Sequence, residues 1–186
     1  MRDFFEFPVR GTIPQDHGYR ILSGLSLRSP FLHGGGVQIA PLGGKRVQGG
    51  KSLQLHEGSR LRIRGITREQ AHQIMSLGAF WCGDEMISVG PAHRKILRPS
   101  GKLSTRLLVL KDTVDETTFI EALKCKLPST AIVELGRRRA LKMKSHHYLG
   151  YSVRILGLTA EESLCIQETG LGKFRSMGCG VFQPTW

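Results

Sequence analysis

Acidic residues are scarce in this chain. Its 186 residues hold 15 Asp and Glu against 27 Lys and Arg, a formal surplus of +12 with the histidines neutral. The carboxylates are scattered, with no D-x-D pair and no converging set, so the ligands that two-metal phosphodiester chemistry needs are missing. The four cysteines, Cys82, Cys125, Cys165 and Cys179, form no CxxC and no Cys/His pair at zinc spacing. That argues against a disulfide framework and a structural zinc, and it reads each thiol as reduced and buried or half-buried. No stretch approaches the roughly 18 apolar residues of a membrane span. The start, MRDFFEFPVRG, carries Arg2, Asp3 and Glu6 where a secretory signal is apolar. These absences predict a cytoplasmic protein with no membrane partner, no metal and no cofactor.

What is present is a foldable chain with excess cation. Hydrophobic residues make up 40% and charged ones 23%, enough for a core and unlike a disordered basic tail. A surplus of this size does not suit an enzyme of neutral metabolites, so no small-molecule substrate is expected. A polyanion is the leading partner, because clustered Lys and Arg displace the counterions of nucleic acid. Acidic lipid comes second, and the amphipathic basic helix it calls for is missing.

Periodicity divides the chain into two similar halves. Residues 4–10 read as a strand stopped by Gly11 and Pro14, and Asp16 caps a helix running to about Leu27, with Gly18 and Gly24 as weak points. Short extended pieces follow at 37–40, 53–56 and 60–66, the last with Leu61 and Ile63 on one face and Arg62 and Arg64 on the other. Residues 67–70 form a capping box that opens a helix through Ala71, Ile74 and Leu77, and 85–89 and 95–97 are extended. Pro99-Ser100-Gly101 links the halves. The order then starts over: a strand at 104–111, a helix from Asp115 to Pro128, extended pieces at 131–135, 137–144 and 148–155, a capped helix from Thr159 to Gly170, and a strand at 181–184. This β-α-β-β-α-β order predicts an α+β chain of two tandem ferredoxin-like units, residues 1–99 and 100–186, each an antiparallel sheet with helices on one face.

Three stretches are candidates for chemistry. The run at 170–180, GLGKFRSMGCG, joins Gly170, Gly172, Gly178 and Gly180, whose amides can come close to a ligand, with Lys173 and Arg175. It is not a P-loop, for it lacks the Gly-Lys-Ser/Thr ending and follows a helix; the plainer alternative is a helix-to-strand turn with solvated cations. Arg137, Arg138, Arg139, Lys142 and Lys144 crowd one hairpin arm. Such runs are usually solvated, yet alternation with Ala140, Leu141 and Met143 also lets cations project from one face toward phosphates. At the tip, His146, His147 and Tyr148 offer rings that stack on or hydrogen-bond to bases. Among the seven histidines, His17 and His33 bracket the first helix, and His33 abuts Gly34, Gly35 and Gly36, where a substrate can come close. If the chain cuts nucleic acid, metal-free acid–base catalysis is the economical mechanism.

Followed by Val181-Phe182-Gln183-Pro184, the 170–180 run resembles the C-terminal glycine-rich signature of the RAMP superfamily. More narrowly it resembles that of the CRISPR repeat-cleaving endoribonucleases, which cut precursor crRNA and often remain as a subunit of the Cascade complex. The stretch Ile13-Pro14-Gln15-Asp16-His17-Gly18-Tyr19, then a helix and Phe31-Leu32-His33, is similar to the same family, in a compact branch, over about residues 9–184. The family's catalytic histidine commonly lies in a Leu-His pair after the first helix, which points to His33 first and His17 second. Several relatives have a tyrosine late in that helix where this chain has Ser26, and no lysine follows His33 before Lys45. Tyr19, Ser26 and Lys45 therefore stay open as the assisting group.

The resemblance implies a cofactor-free, metal-independent endoribonuclease for CRISPR repeat RNA, in which the ribose 2′-OH attacks the neighbouring phosphorus. Lys173, Arg175 and the glycine loop would hold phosphates, and the arm from Arg137 to Lys144 would grip the hairpin stem, with Arg62 and Arg64 adding charge. Expected partners are the crRNA hairpin and other subunits of a type I Cascade complex. The alternative is a non-catalytic crRNA-binding RAMP subunit. A general RNA-binding module that stacks bases on its central strands is more distant, since aromatics are 7% and form no paired strand motif.

Overall fold

The computed structural model of the chain describes residues 2–47, 49–111, 113 and 115–185. They form two units. The first comprises Asp3–Ile96 with Ser176–Gly178, and the second Arg2, Leu97–Arg175 and the chain from Cys179 on.

The first unit runs β1 (Asp3–Arg10), β2 (Thr12–Pro14), α1 (Gly18–Ser26), a 3-10 turn (Pro30–His33), β3 (Gln38–Ile39), β4 (Lys45–Arg46), β5 (Ser52–Gln54), β6 (Arg60–Arg64), α2 (Arg68–Ser76), β7 (Ala79–Cys82), β8 (Glu85–Val89) and β9 (His93–Ile96). Its sheet is built on β1 and β6, where Phe5 pairs with Ile63 and Phe7 with Leu61. The apolar members of two alternating strands thus coincide on one face. Ile21, Leu22 and Leu25 of α1 and Ala71 and Ile74 of α2 join those side chains in one buried cluster. The strand order is β3-β6-β1-β8-β7, with β9 pairing the start of β1. Counting β1, β3, β6 and β8/β9 as strands one to four, this is the order 4-1-3-2.

The second unit is β10 (Lys102–Leu108), α3 (Glu116–Lys124), β11 (Ile132–Met143), β12 (His146–Leu156), α4 (Ala160–Thr169) and β13 (Gln183–Pro184). Its sheet order is β11-β12-β10-β13, again 4-1-3-2. Leu103, Phe119, Leu123, Val153, Ile155, Ile166 and Phe182 fill its core. The fold is α+β with antiparallel sheets, as the element order predicts. The small sheet β2-β5-β4 is the insertion that lengthens the first half.

The helix starts follow their caps. Thr67, Asp115 and Thr159 each accept from the amide three residues on, and their own amides donate in return to the side chains of Gln70, Thr118 and Glu162. In α1 the N-cap is His17 rather than Asp16, and it makes no side-chain capping bond. The glycines that weaken α1 on propensity allow close approach instead: a β-carbon at Gly24 would lie 1.8 Å from the Trp81 carbonyl oxygen, and one at Gly18 2.0 Å from that of Met177. The last strand is shorter than expected, with Val181 and Phe182 buried ahead of it. Strand β7, which pairs with β8 through Phe80 and Ile87, has no clear pattern of its own because Trp81 faces solvent. Of the thiols, Cys82 and Cys179 are buried, whereas Cys125 and Cys165 are exposed, contrary to expectation. Burial pushes Cys82 up to about 11, so it stays a thiol.

Candidate functional site

The turn that carries His33 is held from both sides and open in the middle. Pro30 begins it, and Leu32 is fully buried, which fixes the next residue, His33, pointing outward and exposed. Downstream, a β-carbon at Gly65 would come 2.4 Å from the Gly36 carbonyl oxygen, so the far end of the glycine run is pinned against β6. Between these anchors a β-carbon on Gly35 or Gly36 would touch nothing within 4 Å. Among the described residues, no hydrogen-bond partner occupies the His33 ring. The arrangement leaves an imidazole free to move a proton at either nitrogen, beside backbone that a ligand can approach without meeting side chains.

His17 is the opposite case. It is 2% exposed, its Nδ1 lies 3.0 Å from the Pro14 carbonyl oxygen, and the Leu42 amide donates to its Nε2 at 3.1 Å. A carbonyl only accepts and an amide only donates, so the ring is the neutral Nδ1–H tautomer with both nitrogens in use. His17 ties the end of β2 and the start of α1 to the loop after β3. Tyr19 is half-buried in the first turn of α1. The Ser26 hydroxyl donates to the Leu22 carbonyl at 2.5 Å, and Lys45 is exposed on β4.

The arginines of β6 are occupied within the first unit. Arg60 donates to the Glu57 and Ser59 carbonyls at 2.6 and 3.0 Å, and Arg62 pairs with Glu6 at 2.7 Å. Arg64 is 6% exposed, and burial, with the neighbouring Arg62 charge adding to it, lowers its guanidinium to about 10. It remains a cation at neutral pH, but an enclosed one. The guanidinium face read from the sequence is therefore not an open phosphate track.

The basic arm is split by a bulge. The β11–β12 register shifts between Leu135 and Arg138, so that Arg138 stands opposite Tyr151, Arg139 opposite Gly150 and Lys142 opposite His147. Arg138 and Lys142 share one face, while Arg139, half-buried, lies on the other with Leu141 and Met143. The run does not present all its cations together, because consecutive residues of a strand point to opposite faces. Lys144 occupies the two-residue turn at positive φ (53°).

Residues 170–175 and 179–180 of the run are packed against the end of the second unit's central strand, whereas Gly178 lies by Ile39 and Pro41 in the first unit. The amides of Leu171, Lys173, Cys179 and Gly180 donate to the carbonyls of Gly180, Val109, Phe174 and Leu107 at 2.7–3.1 Å. A β-carbon would lie 2.3 Å from the Val109 carbonyl oxygen at Gly172 and 1.7 Å from that of Leu171 at Gly180. These glycines serve chain crossing, and those four amides are spent inside the protein instead of facing a ligand. Gly170 ends α4 at φ 62° and Gly178, at φ 86°, is buried. Lys173 is exposed, and Arg175, half-buried, donates to the Thr169 carbonyl at 2.6 Å. One residue of the run escaped the sequence reading. Phe174 adopts φ 62°, and its ring lies 4.5 Å from that of Tyr148; an aromatic among left-handed glycines was the available signal.

The family model described as "Cas6 Crispr" matches residues 5–186. The chain is 31% identical over 187 residues to the "CRISPR-associated endonuclease Cas6" of Myxococcus xanthus (strain DK1622), covering 96% of this chain and 79% of that one. Among solved structures it is similar to a "CRISPR associated protein Cas6" (TM-score 0.70, 14% identity, 99% of each chain). It is also similar to "An RAMP protein binding different RNA substrates" (TM-score 0.69, 14% identity, 97% of this chain and 98% of that). At such identities the structural likeness shows the fold alone.

Proposed function

The chain belongs to the Cas6 CRISPR family, and from that premise we propose that it is a metal-independent endoribonuclease that cuts CRISPR repeat RNA and stays on the product hairpin. The observation that carries this reading is the exposed, unengaged ring of His33 beside glycines whose β-carbon positions are empty. The name of the curated relative supports nuclease activity, and the RNA-binding RAMP structure supports RNA as the partner. In the reaction the 2′-oxygen bonds to phosphorus and the bond to the 5′-oxygen breaks, leaving a 2′,3′-cyclic phosphate and a 5′-OH. The neutral His33 ring takes the 2′-OH proton, or its protonated form delivers one to the leaving oxygen. One such group contributes about 10²- to 10⁴-fold. Holding the three reacting atoms in line supplies much of the rest.

His17 ranks second because both of its nitrogens are engaged, and Tyr19 stands behind both. Residues 1–99 carry the histidine, and 100–186 carry the basic hairpin and the glycine-rich loop. Lys173, Arg137, Arg138, Lys142 and Lys144 contact phosphates directly, Arg139 and Arg175 through their exposed edges. Arg62 and Arg64 add field without contact, and the glycines at 170, 172, 178 and 180 shape the loop that presents Lys173. The protein works in the cytoplasm with other subunits of a type I Cascade complex.

The test is incubation of end-labelled repeat RNA in excess EDTA. Cutting to the cyclic phosphate is expected, and RNA with a single 2′-deoxy at the cut position should bind and survive. Cleavage of the deoxy substrate, or loss of activity in chelator, overturns the mechanism. Tight binding without any cutting makes the chain a crRNA-holding subunit.

A further inference from the structure

In the 170–180 run the positions at positive φ are Gly170, Gly172, Phe174, Gly178 and Gly180. Four of the five are glycine, the residue that such a conformation favours, and the fifth is an aromatic held there against its preference. The Phe174 ring lies 4.5 Å from that of Tyr148, tilted by 56°. Tyr148 and His146 stand two apart on β12, so their side chains leave the same face. Their rings are 6.3 Å apart and within 25° of parallel. That centroid spacing is close to two stacking distances of about 3.4 Å each. Directly across the hairpin, Leu141 is paired with Tyr148 and Met143 with His146, so the two rings have apolar neighbours on one side. Arg139 lies two residues further along the same face, half-buried.

We propose that the slot between His146 and Tyr148, whose Tyr148 ring packs against Phe174, receives one unpaired base of the bound RNA, with Arg139 beside it for the adjoining phosphate. The proposal rests on the reading of this chain as a repeat-RNA protein. Stacking on flat rings makes the slot tolerant of base identity, since every base has a π-face. Its role is to fix which unpaired nucleotide enters, and so the register of the RNA on the protein. Phe174 keeps its unfavourable backbone because a glycine there would leave Tyr148 without a support.

The experiment uses the full chain and repeat RNA carrying 2-aminopurine at successive positions. Binding should quench the fluorescence at one unpaired position, and His146→Ala and Tyr148→Leu should restore it while weakening binding roughly 5- to 100-fold. Tyr148→Phe keeps the ring and should bind as the wild type does. Phe174→Gly removes ring and backbone constraint together; it should fold with a melting temperature close to the wild type's and still bind more weakly. If the wild type binds the repeat but no position is quenched, or if His146→Ala and Tyr148→Leu bind within twofold of it, the slot is wrong and the functional reading stands. If the wild type does not bind the repeat at all, both are overturned.

Discussion

Two glycine-rich segments of this chain look alike in sequence and are physically opposite. At 34–36 the glycines bound open space: a β-carbon at Gly35 or Gly36 would meet nothing within 4 Å, and the exposed His33 stands beside them. At 170–180 they fill a crowded crossing, where β-carbons at Gly172 and Gly180 would run into backbone oxygens at 2.3 and 1.7 Å. The first segment is suited to admitting a ligand and the second to joining helix, strand and loop. Glycine content alone does not tell access from packing; the neighbouring atoms do.

The contrast can be broken by substitution. The largest effect is expected at Gly180→Ala, where a strained φ of 62° and a collision with the Leu171 carbonyl coincide. Strain and overpacking each cost about 1–3 kcal/mol, so urea unfolding should register a loss of roughly 2–6 kcal/mol. Gly35→Ala, at an unstrained and open position, should stay within about 0.5 kcal/mol of wild type. Equal costs at the two sites would mean that the two glycine segments are packed alike.

His33→Ala probes the open segment by function. Cleavage should fall by at least about 10²-fold while the dissociation constant for repeat RNA and the unfolding midpoint hardly move. Retained single-turnover cutting would move the catalytic role to another group. His17→Ala is the companion measurement. It strips partners from the Pro14 carbonyl and the Leu42 amide, and an unsatisfied buried group costs about 1–3 kcal/mol. Stability should therefore drop while the folded fraction keeps cutting.

The smallest effect belongs to the surface of the packed segment. If about six cations meet phosphates, log K should fall with log salt at a slope near −4 to −5. Lys173→Ala should flatten that slope by about 0.7–0.9, whereas Arg64→Met, which removes the charge, should leave it unchanged, because Arg64 is enclosed and meets no phosphate. A slope that responds equally to both would mean that the β6 arginines do line the RNA.

Much of the fold is legible in the sequence. The capping boxes at Thr67 and Thr159, the cap at Asp115, and the alternation of Phe5, Phe7, Leu61 and Ile63 are local signals, and the helices and strands lie where they point. The halves repeat in the sequence, and both sheets take the order 4-1-3-2. What stayed hidden depended on partners distant in the chain. Nothing around His17 says that the Leu42 amide will occupy its Nε2. No pattern at Arg60, Arg62 and Arg64 shows that carbonyls and Glu6 engage two of them and that the third is buried. The bulge after Leu135 divides a charge run that reads as continuous.

By itself the sequence determined the net charge, the kind and order of the main helices and strands, and the residues available for proton transfer and phosphate contact. Those follow from periodicity, caps and charge, which act within a few residues. The tertiary structure alone decided which histidine keeps a free ring, which arginines remain open, and which glycines make room for a ligand instead of for the chain. Hydrogen-bond partners, burial and close approach are set by residues tens of positions apart, and only the folded chain brings them within a few ångströms of each other.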